Sequence, residues 1–406
     1  MISMSHELRI FLVGSEFFLT RGGIQFVNCL LLRALEDIGR RTPCRIECFS
    51  YGDPSGSALP GTPLAVPLRW HSFGRNRPAM AACLAGRLLA AKPHIVLFTH
   101  VNLLRLSHLV RRLAPRVRVA ALGHGVEVWE RLPGALRWAL SRADGIAAPS
   151  CYTRDRLVGV NGVASDKTAV LPHGIDLHGW LEQGATPGGS CAGPVLLSVT
   201  RMNRADAYKG IDEALRAMPA VLRHCPGARY VVVGDGDDRL RLEQLSRDLG
   251  VAGSVEFCGE LRDLELSAAY AQASLFVLPS RKEGFGIVFL EAMFHRLPVV
   301  AARAGGSVDV VVEGETGLLV PPGDPAALAA AVISLLGSPA DRRQMGEAGR
   351  RRLETHFLLS HFTARWEGWL THLAPEAVYL ARQHRMFSAL TPACLREEIA
   401  SPATAL

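Results

Sequence analysis

Leu275-Phe276-Val277-Leu278-Pro279-Ser280-Arg281-Lys282-Glu283-Gly284-Phe285-Gly286-Ile287-Val288-Phe289-Leu290-Glu291-Ala292 reads as a strand, a glycine-containing turn and a helix. The four apolar residues stop at Pro279, which has no N–H to give to a sheet ladder. From Gly286 to Met293 the spacing predicts a helix. Main-chain N–H groups at Gly284, Phe285 and Gly286 would open that helix as an anion site, favoured by its dipole. Glycine there lets a ligand approach the backbone closely. Glu283 and Glu291 flank the site, about 12 Å apart if the segment is helical throughout. That separation leaves room for a diphosphate between two carboxylates that bind hydroxyl groups.

Working outward, the same strand–turn–helix grammar recurs along the chain. Residues 195–199, 229–233, 255–257, 275–278 and 298–301 are strand candidates, with helices expected at 210–221 and 239–249. Before them, residues 9–13, 46–51, 94–99, 118–122 and 145–148 are strands. Helical stretches are expected at 24–38, 80–91 and 103–113. Alternation at this spacing means parallel sheets covered by helices on both faces. Gln183-Gly184-Ala185-Thr186-Pro187-Gly188-Gly189-Ser190 is polar, aperiodic and flexible in composition, and separates the two series. The expected organisation is therefore an α/β protein of two doubly wound, Rossmann-like domains facing a central cleft. Residues 1–182 form the first, 183–193 the linker, 194–355 the second, and 356–406 a helical region (361–373) with a tail. Ligands of open α/β folds bind beyond the carboxyl ends of the strands, so the cleft is the place to look.

The 406 residues, 49% of them hydrophobic and 20% charged, suffice for two such cores. The nine cysteines are an odd number, with no CxxC pair and no second pair to join Cys44 and Cys48 in a zinc site. Reduced thiols in the cytoplasm are the expected state. No signal-peptide pattern opens the chain, and no run is long and apolar enough to span a membrane. The net charge of +7 is uneven: the first 180 residues hold the whole basic excess, and the rest is mildly acidic. A basic first half suits phospholipid head groups or a phosphorylated acceptor. Nucleic acid is disfavoured, because no aromatic-interleaved basic run is present. Peripheral contact with the inner face of an anionic membrane is expected. Two stretches could serve it: Trp129, Leu132, Pro133, Leu136 and Trp138 with Arg131 and Arg137, and the arginines 111, 112, 116 and 118. Each is equally readable as core packing or a solvated face.

The Glu-x7-Glu segment resembles that of the retaining GT-B glycosyltransferases of family 4, and other segments agree in order. Gly22-Gly23-Ile24-Gln25 is similar to the family's first-domain glycine loop, and His124-Gly125-Val126-Glu127 to its His-Gly segment. Pro172-His173-Gly174-Ile175-Asp176 resembles its pre-linker signature, although Asn usually stands where His173 does. Thr200-Arg201 through Tyr208-Lys209-Gly210 resembles the Arg…Lys-Gly segment, with a longer step between the two cations than is common. Gly234-Asp235-Gly236, Phe257-Cys258-Gly259, Gly305-Gly306 and the run Gly314 to Pro321 complete a series covering about residues 10–355.

The resemblance implies a retaining hexosyltransferase that uses a UDP- or GDP-sugar as donor. It most resembles bacterial exopolysaccharide mannosyl- and glucosyltransferases. A lipid-linked saccharide or a polysaccharide or glycolipid precursor would be the acceptor. Arg201 and Lys209 would neutralise the leaving diphosphate together with the Gly284–Phe285–Gly286 amides, so that no cofactor and no metal is expected. Glu283 would bind donor-sugar hydroxyls, and Glu291 the ribose. His124 would reach the sugar from the opposite domain. Gly22 and Gly23 would admit phosphate and acceptor, and the main chain at Gly259 and Leu261 would hold the base. Taken singly, Glu283 reads as a helix cap, Arg201 and Lys209 as surface charges, and Gly234-Asp235-Gly236 as a strand-ending turn. The alternatives to a lipid acceptor are a small-molecule acceptor and a catalytically silent GT-B partner. A phosphorylase or epimerase would need acid/base residues or a cofactor lysine that no segment announces.

Overall fold

The computed structural model describes residues 7–19, 22–57, 66–177 and 193–390. The expected linker at 183–193 therefore lies almost wholly outside the described residues. The first sheet holds β1 (Leu8–Gly14), β2 (Cys44–Ser50), β3 (Leu68–Ser72), β4 (Ile95–Phe98), β5 (Arg118–Leu122), β6 (Gly145–Ala148) and β7 (Thr168–Val170). Its helices are α1 (Gly23–Gly39), α2 (Arg77–Ala91), α3 (Ser107–Leu113), α4 (Gly134–Ser141) and α5 (Cys151–Gly159). The second sheet holds β8 (Val195–Val199), β9 (Arg229–Val233), β10 (Val255–Gly259), β11 (Leu275–Leu278), β12 (Val299–Ala302) and β13 (Gly317–Val320). Around it lie α6 (Ile211–His224), α7 (Arg239–Asp248), α8 (Asp263–Gln272), α9 (Ile287–Phe294), α10 (Ser307–Val310), α11 (Pro325–Gly337) and α12 (Pro339–His356). Two more helices, α13 (Leu359–Leu373) and α14 (Pro375–Leu390), end the described chain.

Strand order is β3-β2-β1-β4-β5-β6-β7 in one sheet and β10-β9-β8-β11-β12-β13 in the other. Strand pairing is parallel throughout both sheets. The order reverses between β1 and β4, and again between β8 and β11. Such switch points open a crevice at the strands' carboxyl ends. The architecture is the expected doubly wound α/β pair.

Burial explains which strands the sequence announces. β4, β6, β11 and β12 are buried at every residue, because helices cover both faces of a parallel sheet. The edge strands β3 and β7 are only half-buried, and neither carries the continuous apolar run that marks β4, β6, β11 and β12. Several helices start at side-chain caps. Asn76 accepts from the Ala79 amide, Ser150 from Thr153, and Asp324 from Ala326 and Ala327. The helix after β11 begins at Ile287 rather than Gly286, with Gly286 at φ 92° ahead of it.

The C-terminal helices return to the first sheet. Trp366, Trp369, Leu370 and Leu373 share a buried cluster with Ile10, Leu12, Ile46 and Leu97. A Cβ on Gly145 of β6 would lie 2.8 Å from Leu373 Cδ2 and 3.0 Å from Trp369 Cζ2. The chain crosses beside itself where Ile175 N–H donates to the Phe357 carbonyl (2.8 Å) and Leu359 N–H to the Ile175 carbonyl (2.9 Å).

Candidate functional site

Both switch points carry the sequence-singled residues. Arg201 follows β8 directly, and the Ser280–Gly286 loop follows β11. Gly22 and Gly23 end the loop that follows β1, and His124 lies just beyond β5. Lys209 Nζ donates to Glu283 Oε2 at 2.8 Å, with both side chains largely shielded (18% and 10% exposed). Glu283 is therefore an ion-pair partner and caps no helix: Gly286 holds the N-cap position of α9, with no side-chain cap. Since the helix starts at Ile287, the Gly284–Gly286 amides belong to the loop before it. The 12 Å estimate for Glu283 to Glu291 loses its premise for the same reason.

That loop is wedged between two others. The Gly306 amide donates to the Glu283 carbonyl at 2.6 Å. Gly125, at φ 151°, sits so close to Gly284 that a Cβ on it would lie 2.6 Å from the Gly284 Cα. A Cβ on Gly284 would in turn strike the His124 carbonyl. The His-Gly loop of the first sheet thus touches the Glu283 loop of the second through two glycines, which alone permit that approach. Glu127 shapes this loop by accepting the His124 amide at 2.5 Å. His124 Nε2 lies 2.7 Å from the Thr99 carbonyl, at the end of β4. That contact holds Nε2 as the protonated nitrogen and leaves Nδ1 as an acceptor. Burial lowers the pKa of His124, so the ring is held neutral.

Arg201 is 62% exposed and lies 3.3 Å from Asp206, in a short 3₁₀ turn (Arg204–Lys209) inside the longer step noted above. Gly210 closes this turn at φ 80°. Glu291 accepts the Tyr270 hydroxyl at 2.6 Å, and burial raises its pKa. Gly22 is extended (φ −171°), and nothing lies within 4 Å of the place a Cβ would take on Gly23. Gly259 adopts φ 70°, and its carbonyl accepts the Gly234 amide at 2.7 Å, with Leu261 half-buried beyond it. The Gly234-Asp235-Gly236 segment is a turn against the Arg201 loop: Met202 N–H donates to the Asp235 carbonyl at 2.8 Å. Asp235 and Asp237 have Asp-x-Asp spacing, yet Asp237 accepts the Arg204 amide (2.7 Å) and Asp235 the Gly236 amide (2.8 Å). Among the described residues no three His, Cys, Asp or Glu side chains are grouped to hold a metal.

Sequence reasoning missed Asp53. Its carboxylate, 2% exposed, accepts the amides of Phe17, Phe18 and Leu19 at 2.8–3.1 Å and the Ser50 hydroxyl at 2.5 Å. It pins the loop leading to Gly22. An acidic residue soon after a buried strand was the only signal available. The proposed apolar patch divides: Trp129 and Leu136 are buried, and the Trp129 indole N–H donates to Thr153 Oγ1 (3.1 Å). Trp138 stays exposed, stacked on His108 at 4.4 Å and beneath the Arg142 guanidinium at 5.0 Å. Of the arginines, Arg111 and Arg118 pair with Asp144 at 2.6 and 3.3 Å, while Arg112 and Arg116 are exposed. No described helix is long and apolar enough to cross a membrane.

Comparison with known proteins agrees with this fold. Residues 193–352 match the family model described as glycosyl transferases group 1. Residues 21–178 match the model of Glycosyltransferase Family 4. The chain is 35% identical over 281 residues to a GDP-mannose-dependent alpha-(1-6)-phosphatidylinositol monomannoside mannosyltransferase of Mycolicibacterium smegmatis, spanning 65% of this chain and 71% of that one. Among solved structures, sucrose-phosphate synthase of Thermosynechococcus elongatus superposes with a TM-score of 0.74 at 22% identity, covering 90% of this chain and 99% of that one. Anabaena HepE in complex with UDP superposes with a TM-score of 0.71 at 19% identity, covering 90% and 100%.

Proposed function

Because the chain belongs to the GT-B glycosyltransferases of family 4, we propose that it moves a hexose from a nucleoside-diphosphate sugar onto a lipid-linked saccharide or glycolipid precursor, with retention at the anomeric carbon. The observation that carries this reading is the Lys209–Glu283 ion pair, set where the Gly125 loop of the first domain meets Gly284 of the second. Arg201 and Lys209 supply positive charge where the donor's diphosphate leaves, and charge developing there is what such a site must stabilise. No metal is assigned a part in this scheme. Glu283 accepts from sugar hydroxyls, Glu291 from the ribose, and His124 meets the sugar through its Nδ1 acceptor. Gly284, Phe285 and Gly286 offer amides to the phosphates. Gly259 and Leu261 border the base, while Gly22 and Gly23 face phosphate and acceptor, with open space beside Gly23.

In the reaction proposed, the bond from the sugar C1 to the diphosphate oxygen breaks and its electron pair stays on the diphosphate. The acceptor hydroxyl oxygen bonds to C1 on the same face, and its proton passes to a donor phosphate oxygen. The mycolicibacterial relative's name makes GDP-mannose the first donor to try and a phosphoinositide glycolipid the first acceptor.

The test is transfer from GDP-mannose, UDP-glucose and ADP-glucose to lipid and small-molecule acceptors, with the product's anomeric configuration read by NMR. Glu283→Ala should lower turnover by at least about 100-fold, as loss of one preorganised electrostatic group does. Glu291→Ala should mainly raise the donor KM. Normal turnover by Glu283→Ala, or an inverted product, would sink the assignment. A second reading, a small-molecule acceptor, is decided by which acceptor class is glycosylated.

A further inference from the structure

The step between Arg201 and Lys209 is longer than the common form of its motif, and the added residues build a polar hub. Asp206 is 10% exposed at its side chain and accepts from three donors. Arg201 Nη2 (3.3 Å) and the Tyr208 hydroxyl (2.9 Å) share Oδ1, and Asn203 Nδ2 (3.1 Å) takes Oδ2. The main chain of the same turn reaches the other half of the site. The Tyr208 carbonyl accepts the Arg281 amide at 2.7 Å, two residues before Glu283. Arg281 Nη1 also lies 3.1 Å from Glu213, in the first turn of α6.

We propose that Asp206 is a positioning residue for donor binding, holding the Arg201 guanidinium and, through Tyr208, the loop that carries Glu283 in one shared arrangement. A guanidinium has five N–H donors, and Asp206 engages one of its nitrogens. The rest remain available to a phosphate. A long, exposed side chain otherwise loses rotamer freedom when it captures an anion, and a preset one loses less. This inference rests on the diphosphate roles proposed for Arg201 and Lys209.

The sign of one substitution separates positioning from plain electrostatics. A carboxylate beside a phosphate site repels the anion, so removing its charge should tighten binding if Coulomb repulsion were all that mattered. Positioning requires the opposite. GDP and UDP binding would be measured by titration calorimetry on the full chain as wild type, Asp206→Asn, Arg201→Ala and the double variant. For whichever diphosphate binds, Asp206→Asn should weaken affinity about tenfold, the scale of a lost charge-assisted contact. In the Arg201→Ala background the same change should cost less than about twofold, because the two act as one unit. Unchanged or tighter binding by Asp206→Asn overturns the proposal, as do equal losses in both backgrounds. Should Asp206→Asn melt early, Tyr208→Phe keeps the carboxylate and removes one donor. It should weaken binding roughly threefold, and no change overturns the proposal. A wild type that binds neither diphosphate overturns the transferase reading itself, an outcome distinct from a wild type that binds while the variants match it.

Discussion

His173 shows what a single residue contributes where the site meets the core. It is 4% exposed, and its ring lies 5.2 Å from Phe285, 6.3 Å from His124 and 6.5 Å from Phe362 between centroids. Burial, helped by His124, pushes its pKa down to about 3. In the unfolded chain it titrates near 6.5. Between those values the unfolded state takes up a proton that the folded state refuses. Stability is therefore undiminished above about pH 6.5 and falls by roughly 1.4 kcal/mol per unit as pH drops towards 3. His173→Asn, the residue usual at this place in the family, should make that slope shallower while costing some packing at neutral pH, with buried His94 and His295, each pushed down to about 4, supplying the remainder. Urea unfolding between pH 6 and 4 checks it, and an identical slope in both proteins would rule the argument out. The residue scale is also where the sequence was least legible. Glu283, Lys209 and His124 could be singled out because motifs carry them. Asp53 and Asp206 could not, because a buried carboxylate is recognised by the donors that gather round it, and those lie up to 36 residues away.

Elements were far easier to read, and the strands that were missed lie at sheet edges. β5, β6, β8, β9 and β11 fall where continuous apolar runs put them, because strands buried on both faces leave that signature. β3, β7 and β13 went unseen: all three are short edge strands, the first two half-buried as well. The helix over residues 361–373 was visible from its spacing, but its destination was not: sequence order places it beside the second domain. Trp366, 1% exposed, instead closes the core of the first sheet, its ring 5.3 Å from Trp369 and 5.8 Å from Phe362. Trp366→Ala should thus destabilise by about 3–5 kcal/mol, the usual cost of emptying a large aromatic site. Because α13 covers the first sheet, limited proteolysis of this variant should release fragments of the first half while residues 193–352 persist. Preferential loss of the second half would mean that α13 supports that domain instead.

On the scale of the whole molecule, exposed basic residues gather on and around α3 and α4. The 3₁₀ turn Val101–Leu106 packs on α4, and the His108–Trp138 stack joins α3 to α4. Arg105, Arg112, Arg116, Arg131 and Arg142 are exposed along these elements, with no acidic side chain paired to any of them among the described residues. Trp138 stands among them, 45% exposed, the kind of amphipathic ring that settles at a lipid head-group level. Beside exposed Arg131, Lys282 reaches Glu130 across the two domains at 3.3 Å. That pair is solvent-exposed, so it contributes at most about 1 kcal/mol. A lipid-linked acceptor held at an anionic bilayer would then meet the site from the first domain's side, where the basic excess of the sequence lies. Co-sedimentation with vesicles containing anionic lipid should detect binding that fades as salt shortens the Debye length. With each exposed arginine near the surface worth about 1 kcal/mol, replacing Arg105, Arg112 and Arg142 by Ala should weaken partitioning roughly 100-fold. Transfer to a soluble acceptor by that triple variant should stay normal, because none of the three touches the donor site. Equal partitioning into neutral vesicles would show that charge does not hold the protein there, and loss of transfer to both acceptor types would place these arginines in the chemistry rather than in docking.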